Sequence, residues 1–128
     1  MHFGQVPANN SLQILPEGII EIKQVGFQTA DSIAMFQGKV DDMTAELHQQ
    51  GKKVLILVDI SEVTGQEPEV LSLARERLKG EYDALALVGT APAIKMIINW
   101  LVHATGNDTR LKSFDTRSEA ITWLLSHN

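Results

Sequence analysis

At 128 residues the chain has the length of one domain, and its 44% hydrophobic and 21% charged residues are the composition of an ordinary globular protein. A net charge of −5 with no basic cluster argues against a nucleic-acid surface. Without cysteine the chain forms no disulfide, thiolate metal site or cysteine nucleophile, and no apolar run approaches the roughly 20 residues of a membrane span.

Residues 1–11 read as a loosely ordered start. They lack the basic and apolar regions of a signal peptide, so a cytoplasmic location is expected. Ser11 to Leu15 and Gly18 to Val25 read as two short strands around Pro16-Glu17-Gly18, an antiparallel hairpin. Thr29 to Gln50 is the clearest helix. Ile33, Phe36, Val40, Met43 and Leu47 recur at spacings of three and four, Thr29 or Asp31 caps the start, and Gly51 suits a left-handed end.

Val54 to Val58 is a continuous apolar run, as expected of a strand covered on both faces. Asp59, Ser61, Glu62 and Thr64 then predict a polar loop. Gln66-Glu67-Pro68-Glu69 opens a helix, with Pro68 in its first turn and Gly80 at its end. Asp83 to Gly89 is a second buried strand, and Thr90-Ala91-Pro92 starts a helix running to about Ala104. Leu111 to Asp115 is a short last strand. Asp115 or Thr116 caps a final helix, and Thr116 with Glu119 fits a capping box. The order β-β-α-β-α-β-α-β-α predicts one α/β domain over residues 12–126. Its sheet is mixed but mostly parallel, with the hairpin as an antiparallel edge and about four helices covering it.

The two central strands of a parallel sheet end on one rim, where α/β folds bind ligands. Asp59, Ser61, Thr64, Gln66 and Glu67 follow one strand and Thr90 the next, so this rim is the expected ligand or partner site. Each residue also has an ordinary role in loop and cap hydrogen bonds, and residue by residue that role is favoured. Met96 and Trp100 form a second stripe beside the core stripe of the 92–104 helix, an expected contact with an apolar ligand or a second subunit. No histidine pair has metal spacing, and no G-x-S-x-G elbow, phosphate loop or dinucleotide fingerprint occurs. Neither a metal nor a cofactor is expected.

Asp59, Thr90 and Lys112 mimic the phosphoacceptor aspartate, threonine and lysine of receiver domains. Gly26-Phe27-Gln28 stands where the acidic pair that holds their metal would be, and Lys112 begins its strand rather than ending it.

The stretches LVDISEVTG, APAIKMIINWLVHATG and SFDTRSEAITWL, in this order, resemble the domain of sulfate transporters and anti-sigma-factor antagonists (STAS), especially its SpoIIAA-like relatives. The resemblance spans about residues 12–126. It implies a non-catalytic binding or regulatory module. In the family's anti-sigma antagonists a partner kinase phosphorylates a serine in a D-S-S-G-type turn at the start of the helix after the central strand. That turn falls here on Gln66-Glu67-Pro68-Glu69, which holds no phosphoacceptor, although Ser61 and Thr64 stand close by. Relatives lacking the serine are also similar to lipid-carrier folds, which implies an apolar ligand as the alternative. The expected partners are therefore a protein, a small apolar ligand or a second copy of the chain, with no nucleic acid and no stable membrane insertion.

Overall fold

The computed structural model describes residues 9–70, 72–73, 82–89, 99, 103 and 110–127. The chain opens on the predicted hairpin, β1 (Ser11–Ile14) and β2 (Ile19–Gln28). Gly18, with φ of 88°, takes the left-handed turn position that a side chain would strain. Its N–H donates to Leu15 O at 2.8 Å. The long helix α1 (Ala30–Gln49) follows. Thr29 is its cap: the N–H of Ser32 donates to Thr29 Oγ1, and the Thr29 N–H donates to Ser32 Oγ, both at 3.0 Å. Gly51 ends it in the left-handed conformation, φ 70°, as the sequence predicts.

The remaining described elements are β3 (Leu55–Gln66), β4 (Ala84–Val88), β5 (Leu111–Phe114) and the last helix, α2 (Arg117–Leu125). The five strands form one mixed sheet in the order β1-β2-β3-β4-β5. Only β1 against β2 is antiparallel; β2 through β5 are parallel. This is the expected mostly parallel α/β sheet with a hairpin edge. Of the four helices expected, the described residues give two whole, α1 and α2, and part of a third beginning at Pro68. Of the helix expected over 92–104, only Asn99 and His103 are described, and both are helical.

Alternation along the strands sends apolar side chains to both faces. On one face Ile20, Ile56 and Leu85 pack with Val40 and Leu47 of α1. On the other, Ile19, Leu57 and Ala86 pack with Ala120 and Leu124 of α2. Thr116 caps α2, accepting from the Glu119 N–H at 3.3 Å while its hydroxyl donates to Glu119 Oε1 at 2.8 Å.

One boundary differs in a way that matters for function. β3 does not stop at Val58 but runs to Gln66, so the expected polar loop at Asp59–Thr64 is strand. Its continuation is sustained by β2, which runs to Gln28 and stays paired with it. The two strands keep step only by two irregularities, between Lys23 and Val25 and between Gly26 and Phe27, where β3 supplies the extra residue. Gly26 takes φ of 87° there. Gly65 lies opposite Phe27, and a Cβ on it would sit 3.1 Å from the Phe27 ring. Gly65→Ala is therefore expected to displace that ring and cost about 1–3 kcal/mol, read as a lowered urea midpoint. An unchanged midpoint would mean that Phe27 swings aside freely.

Candidate functional site

β4 ends at Val88, which is level with Asp59. β3 then runs seven residues further, to Gln66, or roughly 20 Å at strand rise. β2 and β3 thus form a two-stranded ribbon projecting past the rest of the described sheet. The projection divides the residues expected to share one rim. Asp59 stands at its base, level with the end of β4, while Gln66 and Glu67 stand at its tip. Thr90 lies outside the described residues, as do Met96 and Trp100.

Each described residue of the set has a definite place. Asp59 is half-buried on the face that carries α2. Its Oδ1 accepts from the Ser61 N–H at 2.9 Å and from the Ser61 hydroxyl at 2.6 Å. It therefore occupies a backbone donor just where β4 leaves the ladder. Ser61, Glu62 and Thr64 are exposed along the ribbon. Glu67 joins the ribbon tip to α1. Its N–H donates to Gln28 O at 3.0 Å, and its Oε1 accepts from the Ala30 N–H at 2.8 Å. That carboxylate sits at the positive end of α1 and immediately before the helical turn opened by Pro68. Gln66 is thus held by strand pairing with Gln28 and Glu67 by its bonds to Gln28 and Ala30, whereas Ser61, Glu62 and Thr64 are exposed to solvent.

Beside the base of the ribbon lies a polar depression of about 330 Å³ that the sequence did not announce as a unit. Ser11, Gln13, Glu21, Lys23, Asp59 and Arg117 line it. At its centre is Glu21, only 8% exposed. Arg117 Nε donates to Glu21 Oε2 at 2.5 Å, and Gln13 Nε2 donates to Oε1 at 2.5 Å. The guanidinium hydrogen bond holds the Glu21 carboxyl below its ordinary value, against the opposing effect of burial. Lys23 pairs with Glu62 across the ribbon at 2.5 Å, and that partner raises its pKa. Strand alternation in Ile19-Ile20-Glu21-Ile22-Lys23 places Glu21 and Lys23 on one face, a signal present in the sequence. Arg117, 96 residues from Glu21 along the chain, carries no such local signal.

Lys112 is level with Ala86, two residues short of the Val88–Asp59 level, and its ammonium lies 5.5 Å from the Phe114 ring. It does not reach the strand end as the receiver arrangement requires. Among the described residues no group of three or more His, Asp or Glu side chains is placed to hold a metal, and no helix is long and apolar enough to cross a membrane.

A family model described as a domain of unknown function (DUF7793) matches residues 17–128. No curated protein matches the chain. Among solved structures, the chain is similar to an uncharacterised protein of the DUF3478 family with a SpoIIAA-like fold from Shewanella loihica PV-4. The TM-score is 0.68 at 18% identity, covering 91% of this chain and 93% of the other. It is also similar to the anti-sigma factor antagonist SpoIIAA in its unphosphorylated form, with a TM-score of 0.57 at 13% identity over 91% and 98% of the two chains. At such identities the likeness is one of fold, and the fold is SpoIIAA-like.

Proposed function

The chain belongs to the DUF7793 family, and from its SpoIIAA-like fold we propose that it is a non-catalytic regulatory module of the STAS kind that binds a protein partner in the cytoplasm. The observation that carries this reading is the projecting β2–β3 ribbon. It presents Ser61, Glu62 and Thr64 to solvent while Glu67 braces its tip against the start of α1. A braced projection loses little conformational freedom when a partner docks, which favours recognition. The turn at Gln66–Glu69 offers no serine or threonine, so the proposed module is not switched by phosphate on that turn.

The test is a photo-crosslinking amino acid at Thr64, with Thr122 on α2 as an equally exposed control, in the cells that make the protein. A discrete covalent adduct with one protein is expected at Thr64 and absent at Thr122. Equal labelling at both positions, or none at Thr64, would overturn the reading.

A carrier of a small apolar ligand is the second reading. It is favoured by a depression of about 650 Å³ between the hairpin and the end of α1, lined in part by Ile14, Leu15, Met43, Leu47 and Leu55. Native mass spectrometry of freshly purified protein separates the two, since a carrier retains a bound mass.

A further inference from the structure

A sheet of five strands in sequential order has two edges, and this one treats them differently. β5 carries the exposed Lys112, a charge of the kind that discourages strand addition. β1 carries no such charge. Residues 9–16, NNSLQILP, contain no charged side chain, and β1 pairs with β2 without a bulge. β2 is its only strand partner among the described residues. Ile14, at the end of this edge, is 49% exposed. An uncharged, regular edge with an exposed branched residue is a template for another strand.

The hydrogen bonds of the hairpin show which backbone groups remain available. Asn9 donates to Val25 O and Leu15 donates to Ile19 O, so the odd-numbered residues of this stretch face β2. By alternation Leu12 and Ile14 turn their N–H and C=O groups outward.

We infer that β1 joins two copies of this chain, edge to edge and antiparallel, into one continuous sheet. A two-fold axis perpendicular to the sheet brings identical edges together in antiparallel sense and keeps each face of one copy level with the same face of the other. Gln13 is the centre that sets the outward groups and the apolar side chains in register together. Leu12 then exchanges both backbone bonds with Ile14 of the partner subunit, and Ile14 does so with Leu12 of the partner subunit. The two Gln13 residues meet as a non-hydrogen-bonded pair with Cα atoms about 4.5 Å apart. The alternative centre at Leu12 sets Ile14 against Asn10, whose side chain is already paired with Gln28 at 2.9 and 3.1 Å.

Charge permits the pairing. The chain carries a net −5, and this edge is a stretch where two copies meet without opposing like charges. The two-fold axis uses up both β1 edges, so assembly stops at the dimer. A four-residue edge buries much less than the ~1,200 Å² of stable interfaces, so the dimer is a weak one.

The chain's lack of cysteine makes the test direct. Gln13→Cys protein, oxidised at high protein concentration, is expected to form a disulfide-linked dimer, because the predicted Cα spacing lies within disulfide range. Met35→Cys, at a site 79% exposed on α1, is the control and should remain largely unlinked. In sedimentation equilibrium the unmodified chain should show concentration-dependent dimer, and Ile14→Lys should weaken it at least tenfold without changing the urea midpoint. The inference fails if Met35→Cys links as readily as Gln13→Cys, or if the chain is monomeric at every concentration. A dimer that persists unchanged in Ile14→Lys would equally sink it, by assigning association to another surface.

Discussion

Leu57→Asp protein is expected to be recovered as aggregate, or as a chain without a cooperative unfolding transition. Leu57 is fully buried, paired with Glu21 on one side and Ala86 on the other. It packs in the core with Ala120 and Leu124 of α2. An aspartate there would stand beside the Glu21 carboxylate, whose Arg117 is already engaged, and burying it uncompensated costs several kcal/mol even if it takes up a proton. That loss is comparable with the whole stability of about 5–15 kcal/mol of a domain this size. Ile56→Asp should fail in the same way from the opposite face, where Ile56 is 6% exposed and packs with Val40 and Leu47 of α1. Met35→Asp is the control: at 79% exposure it should change stability by no more than about 0.5 kcal/mol. Soluble yield and urea unfolding followed by circular dichroism decide the matter. A cooperative transition at the unmodified midpoint in Leu57→Asp would place β3 at an edge of the sheet.

That prediction rests on features legible in the sequence. The run Val54–Val58 is apolar at every position, which only a strand covered on both faces sustains. The spacing of Val40 and Leu47, the Thr29 cap and Gly51 likewise placed α1 through local chemistry alone. The end of β3 was not legible. Asp59-Ile60-Ser61-Glu62-Val63-Thr64-Gly65 has the polarity and the glycine of a loop, and strand preference in such a stretch depends on its neighbour. Here the neighbour is β2, and pairing with it, bulges included, extends the strand to Gln66. Misplacing that boundary made the candidate site a single rim instead of a ribbon with its base and tip apart. The polar depression was half legible. Alternation aligns Glu21 with Lys23, but the arrival of Arg117 depends on how α2 crosses the sheet, which no local pattern encodes.

The Glu21–Arg117 pair should show itself in the pH dependence of stability. Glu21 is a carboxylate in the buried opening stretch of β2, Ile19–Ile22, and its two oxygens are held by Arg117 and Gln13. Removing the guanidinium in Arg117→Ala leaves Glu21, 8% exposed in the intact chain, with Gln13 as its remaining side-chain partner. A fully buried pair broken in this way costs about 3–5 kcal/mol, but the Arg117 side chain is 48% exposed, so about 1–2 kcal/mol is expected at neutral pH. The folded-state pKa of Glu21 lies below its ordinary value of 4.5. The main cause is the hydrogen bond from Arg117, aided by Gln13 and by the charge of Arg117, and opposed by burial and by Asp59. A depressed carboxylate contributes stability that is complete above the unfolded pKa and lost as pH falls through the folded one. The unmodified chain should therefore show no contribution from this group to the slope between about pH 6 and 8, and should lose stability below about pH 4.5. Arg117→Ala should lose less over the same acid range, because the main cause of the depression is gone. Glu21→Gln, with no charge to titrate, should likewise lose less than the unmodified chain. Urea midpoints at about pH 7, 4.5 and 3 test the set. If the three proteins fall in parallel on acidification, the pair is incidental to acid stability, and other carboxylates set the acid limit of the fold.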